Sequence, residues 1–130
     1  MIGAILTGIA TRFSGSAFST AIGARLYSRF VPDKPTFPYG VVNVQGAEHD
    51  WNFSDQFEEV DVQISIFSSS TSESEITGIL TNLLALYDNC TLTVSGYTSV
   101  YMQRERIVSL GDAENGVRQF TVIYNLLIEK

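Results

Sequence analysis

The chain is short of the side chains from which most catalytic and metal sites are built. It has one cysteine, Cys90, and one histidine, His49, in 130 residues. A lone cysteine closes no internal disulfide and builds no thiolate cluster, and one histidine leaves most zinc and acid–base arrangements without their parts. No apolar run approaches the roughly 20 residues that a membrane-spanning helix needs. Basic residues are scarce: eight Lys and Arg stand against fourteen Asp and Glu, for a net charge of −6. An acidic domain repels phosphate backbones, which argues against sequence-independent nucleic-acid binding by the bulk surface. Only a local basic patch at Arg104, Arg106 and Arg118 is left open. The motifs that announce chemistry are missing too. There is no G-x-S-x-G elbow and no phosphate loop of the G-x-x-x-x-G-K-[ST] or G-x-G-x-x-G kind.

What is present reads as a single folded domain, residues 1–130. The chain is 45% hydrophobic and 12% aromatic, too rich for disorder. Its length suits one core and not two. The first ten residues are apolar but have no basic start, so they do not read as a secretory signal. Ile2, Ile5, Leu6, Ile9 and Phe13 fall on one face of a helix instead. Two glycosylation sequons, at Asn52 and Asn89, carry no meaning without such a signal. The cytoplasm is the expected compartment.

The best-marked stretch is Glu58 to Asn89. Glu59 to Phe67 alternates polar and apolar residues, as a strand with one wet and one buried face does. Ile76, Ile79, Leu80, Leu83, Leu84 and Tyr87 then recur at helical spacing, and Ser72 with Glu75 makes a capping box ahead of them. Before this pair, a helical turn is expected within 17–23 and strands at 24–31 and 39–45. They are separated by Pro32, Pro35 and Pro38, which forbid a central strand there. Residues 46–55 read as the tip of a long hairpin. After the pair come strands at 91–94 and 98–110, a turn cluster at 111–116 and a last strand from Val117 to about Ile128. The fold class is therefore α+β: a mostly antiparallel sheet of about five strands, with an N-terminal helix and one central helix packed on one face.

Candidate sites are few. His49, between Glu48 and Asp50, reads as an exposed loop histidine, and Cys90 as a packing residue. Asp50, Asp55, Glu58, Glu59 and Asp61 form an acidic cluster that suits a solvated, partner-facing edge better than glycosidase chemistry. Trp51 and Phe53 are either tucked back on the sheet or held out as interface anchors, and the two readings stand level. In the last strand, Phe120, Val122, Tyr124, Leu126 and Ile128 share one parity while Ile123 and Leu127 share the other. Apolar residues of both parities imply burial on both faces, the second by another layer or, preferably, another subunit. Nothing here argues for an enzyme, a metal or a cofactor.

The order helix, strand, proline turn, strand, long loop, strand, helix, strand, strand resembles the tail-terminator, or tail-completion, proteins of long-tailed bacteriophages. The likeness is strongest where Arg25-Leu26-Tyr27-Ser28-Arg29-Phe30-Val31-Pro32 runs into Thr36-Phe37-Pro38-Tyr39-Gly40-Val41-Val42. It extends over most of the chain from about Ala17. The resemblance implies a structural virion protein without catalysis, cofactor or membrane. Its partners would be copies of itself in a ring, usually of six, the tail tube protein and the head–tail connector. DNA would pass through the ring without specific binding, and assembly would take place in the host cytoplasm. The ring would cap the tube, end its polymerisation and offer the connector a docking face. On this reading the candidate interface is Glu48, Asp50, Trp51, Phe53, Asp55, Phe57, Glu58, Arg104, Arg106, Ile123 and Leu127. The acidic hairpin would face the lumen or the tube, and Arg104 and Arg106 the carboxylates of a neighbouring ring. The alternatives are another neck protein, an adaptor or stopper, and a small ligand-binding α+β domain, which would need a pocket with convergent polar groups.

Overall fold

The computed structural model describes residues 2–28, 31–45, 57–69, 73–94, 96, 99–112 and 116–129. Among these residues three helices, α1 (Ile2–Phe13), α2 (Ala17–Ala21) and α3 (Glu73–Tyr87), accompany six strands. The strands are β1 (Leu26–Ser28), β2 (Tyr39–Gln45), β3 (Phe57–Ser68), β4 (Cys90–Leu92), β5 (Ser99–Asp112) and β6 (Val117–Glu129). They form one sheet in the order β1-β2-β3-β6-β5-β4. The class is the expected α+β with a mostly antiparallel sheet. Among the described residues it has six strands where the sequence pattern implies about five, and one pair is parallel, β1 with β2, while every other neighbouring pair is antiparallel.

The parallel pair follows from the prolines. A residue without an N–H cannot feed a ladder, so the connector between β1 and β2 does not fold into a hairpin. Arg25 holds this connector in place. Its Nε donates to the carbonyls of Thr36 and Pro38 at 3.1 and 3.0 Å, and its Nη2 to that of Phe37 at 3.3 Å. β2 therefore starts beside the beginning of β1, with Leu26 opposite Gly40.

β3 and β6 are the spine, paired along their whole length from Phe57 opposite Glu129 to Ser68 opposite Arg118. On one face they present Val60, Val62, Ile64, Ile66, Val122, Tyr124, Leu126 and Ile128, all buried. α3 covers that face with Ile76, Ile79, Leu83 and Tyr87, the stripe read from the sequence. Asn89, at φ 54°, takes the left-handed position that ends the helix and aims the chain into β4. Ser72, the expected cap, lies outside the described residues. The Glu75 carboxylate accepts a hydrogen bond from buried Ser68 at 2.8 Å, which ties the helix start to the end of β3.

α1 buries Ile5, Ile9 and Phe13, as its spacing predicts. A side chain at Gly8 would come within 3.1 Å of the Thr93 carbonyl and of Val94, so glycine lets the helix lie close to the segment after β4. Tyr87 joins the helices: its hydroxyl donates to the Ile9 carbonyl at 2.9 Å. Phe13, Phe18, Tyr87 and Tyr124 form a run of edge-on aromatic contacts through the core, with centroids 5.3, 6.3 and 6.3 Å apart. No helix among the described residues is long and apolar enough to cross a membrane.

Candidate functional site

No described residue cluster is arranged for chemistry. Among the described residues, no group of His, Cys, Asp and Glu is placed to hold a metal ion. Cys90 is buried with its thiol 3.9 Å from the Met102 sulfur. Burial pushes its pKa up, away from the thiolate that a nucleophile needs. The features that stand out are instead a bare sheet face and an open strand edge.

The face opposite the helices carries no layer among the described residues. At one end stands an aromatic group: Tyr39 stacks on Phe67 with centroids 4.8 Å apart, and Phe37 and Tyr27 lie at 5.2 and 5.9 Å from Tyr39. Its middle is polar. The hydroxyls of Ser65 and Thr121 are 2.9 Å apart, Gln119 donates to Thr121 at 3.1 Å, and Asn125 donates to Asp61 at 3.2 Å. Ile123 and Leu127 sit on this face as their parity predicts. Ile123 is only 7% exposed, between Gln63 of β3 and Arg106 of β5 in the register, whereas Leu127 is 43% exposed. Tyr101, opposite Leu127, is 37% exposed.

Arg104 and Arg106 read from the sequence as a pair two residues apart. A β-bulge lies between them, so Arg104 is opposite Tyr124 and Arg106 opposite Ile123. They point to opposite faces of the sheet, and the same-face pair does not exist. Arg104 turns towards the end of α3, where its Nη1 lies 3.4 Å from Asp88 Oδ2 while the Tyr124 hydroxyl donates to Asp88 Oδ1 at 2.8 Å. Burial, and then the bond to Asp88, push the Tyr124 pKa well above its usual value. Arg106 is exposed on the bare face and has no ion-pair partner among the described residues.

The remaining candidates divide simply. Glu48, Asp50, Trp51, Phe53 and Asp55 lie outside the described residues. Phe57 and Glu58 are placed only as the first two residues of β3, opposite Glu129 and Ile128. The sequence reading missed two features. One is the Tyr27, Phe37, Tyr39 and Phe67 group. Its trace was Phe67 directly after Ile66, a second apolar parity at the end of β3. The other is a cleft of about 270 Å³ between the start of α3 and strands β5 and β6, lined by Ile76, Thr77, Ser109 and Phe120 and closed on one side by the Glu73–Arg118 ion pair at 3.1 Å.

Comparison with known proteins settles what kind of molecule this is. The family model of the tail completion protein gp17 matches residues 7–129. The chain belongs to that family. A search of curated proteins finds no match. Among solved structures, a chain from the virion of a native gene transfer agent particle superposes with a TM-score of 0.75 at 11% identity, covering 90% of this chain and 87% of that one. A second solved chain gives a TM-score of 0.60 at 14% identity with 96% of both chains covered. At such identities the likeness speaks for the fold. The tail completion family supplies the rest: this is a phage tail structural protein and a component of the virion.

Proposed function

We propose that the chain forms a closed ring that caps the tail tube, ends its polymerisation and presents the docking face for the head connector. It does this by shape and edge contacts, without catalysis. The observation that carries the reading is the one-sided sheet: helices cover one face, while the other keeps Tyr101 and Leu127 exposed at one end and the stacked Tyr39 and Phe67 at the other. A head-to-tail ring buries two different patches of each subunit and closes when the rotation per subunit is fixed. Six copies is the expected number. Net charge −6 suits a lumen through which DNA slides, since like charge lowers affinity for phosphate. Of the two arginines considered for a neighbouring ring, Arg104 is engaged by Asp88, which leaves Arg106 for that role.

Electron microscopy of intact particles tests this directly. The expected result is a ring of this chain in the neck, between the last tube layer and the connector. Finding the chain repeated along the tube, or absent from the neck, overturns it. On the purified protein, sedimentation should show species several times 14.3 kDa as concentration rises.

A further inference from the structure

The sheet ends in two strand edges, and the register makes them fit each other. On one side β1 is outermost; on the other, β5 runs on past β4, which pairs only with Val100 to Met102. Among the described residues, neither the outer side of β1 nor that of β5 from Gln103 onward has a strand partner. β1 runs with β2, while β2 opposes β3, β3 opposes β6 and β6 opposes β5. Three reversals leave β1 antiparallel to β5. The two edges are also level. Across the register Leu26 falls in the row of Ile66 and Ser109, and Ser28 in the row of Ile64 and Ile107. The β1 edge of one copy can therefore meet the β5 edge of the next antiparallel, with no slide along the strands and with the two helix-covered faces on the same side.

The edges are chemically open to this pairing. Natural edges guard themselves with charges and bulges. On β5 both devices sit at Arg104, Glu105 and Arg106, ahead of Ile107, Val108 and Ser109, which have neither. Ile107 is 37% exposed. Leu26-Tyr27-Ser28 is equally free of charge and proline. The Gly40 N–H donates to the Arg25 carbonyl at 2.8 Å, and alternation along the strand then turns the main-chain groups of Leu26 and Ser28 outward. The side chains suit the match as well. Leu26 packs on the core face, and beside Ser109 of the next copy it would stand at the mouth of the cleft walled by Ile76 and Phe120. Charge does not choose the partner, because Arg104 and Arg118 are paired with Asp88 and Glu73, and Glu105 adjoins Arg106. Main-chain pairing and level do. We propose that β1 of one copy adds to β5 of the next, with Leu26 opposite Ser109 and Ser28 opposite Ile107, joining the sheets edge to edge. This rests on the ring reading and supplies its subunit contact. A pairing at equal level adds no rise along the strands, and a head-to-tail contact closes into a ring only when no rise accumulates.

Paired cysteines test the register. Within one subunit residues 28 and 107 are four strand spacings apart, about 19 Å, too far for a disulfide. Opposite residues of an antiparallel pair have Cα atoms about 4.5 or 5.5 Å apart, within disulfide range. Ser28→Cys with Ile107→Cys, and separately Tyr27→Cys with Val108→Cys, should each give a reducible ladder of covalent multimers on oxidation with copper phenanthroline. Cys90 is buried and adds none. Ser28→Cys with Gln103→Cys, about 10 Å out of register, should give no ladder. Reduced, each pair should keep the urea midpoint of the unaltered chain, which shows that it folds. If the unaltered chain associates in sedimentation while neither in-register pair cross-links beyond the Gln103 control, the edge pairing is overturned and the ring reading stands. Covalent dimers from Ser28→Cys alone would show two β1 edges meeting each other and overturn it as well. An unaltered chain that stays monomeric at millimolar concentration overturns the ring reading and takes this contact with it.

Discussion

On the helix-covered face of the sheet, β3 presents Val60, Val62, Ile64 and Ile66, each no more than 1% exposed; on the other face the same strand presents Asp61, Gln63, Ser65 and Phe67. The backbone and its ladder are shared, so the contrast lies in the side chains. The first set completes a core with α1, α2 and α3 and holds the monomer together. The second mixes hydroxyls, amides and aromatics, with no element laid over it among the described residues. Such a surface stays wet in an isolated subunit and still has enough apolar area to reward a partner. On the proposed function one face serves stability and the other association, and substitutions should separate the two.

The largest effect is expected on the covered face. Leu83 is fully buried on the inner side of α3, and Leu83→Ala should cost about 2–5 kcal/mol of unfolding free energy in a urea titration, from lost transfer energy plus the cavity. A cost below 1 kcal/mol would mean that α3 is not the cover of this core. Tyr87→Phe should come next. It keeps the ring but leaves the Ile9 carbonyl without its donor inside the core, a loss of about 1–2 kcal/mol.

The core also carries a pH signature. Burial raises the pKa of Tyr87 and Tyr124 above the usual 10.0, so the folded chain keeps these protons where the unfolded chain gives them up. A raised folded pKa contributes stability that is whole below pH 10 and falls as pH climbs past it. The urea midpoint should hold from pH 8 to about 9.5 and then drop. Phenylalanine at both positions should flatten that drop. An equally steep fall in the double variant would place the alkaline transition elsewhere.

How much of this was legible in advance depends on how local the signal is. β2 and α3 showed their extents because parity and helical spacing are written in consecutive residues. The parallel pairing of β1 was not legible, since nothing in Leu26-Tyr27-Ser28 says which side of β2 it joins; the Arg25 clamp on the proline connector decides that. The bulge in β5 left a trace that was overlooked. Val100, Met102 and Arg104, of even number, have core-face register, but the next residue to take it is Ile107, opposite Val122. A parity that changes across Arg104-Glu105-Arg106 implies one extra residue there. The candidate site was legible only as Ile123, Leu127 and a basic cluster, because an open edge is a property of the whole sheet order and not of any segment.

The smallest effect on stability should come with the clearest effect on assembly. Leu127 is on the bare face at 43% exposure, opposite Tyr101 and four residues from buried Ile123. Leu127→Ser removes a solvated apolar side chain and empties no cavity, so the unfolding free energy should change by no more than about 0.5 kcal/mol in a urea titration. In a ring the same side chain would lie dry against a neighbour, and its loss should weaken association in sedimentation. A stability loss like that of Leu83→Ala would show that the chain's own residues cover this face, and the contrast between the faces would fail. A stable variant that still associates normally would place Leu127 outside the contact and leave the aromatic end of the face, at Tyr39 and Phe67, to carry it.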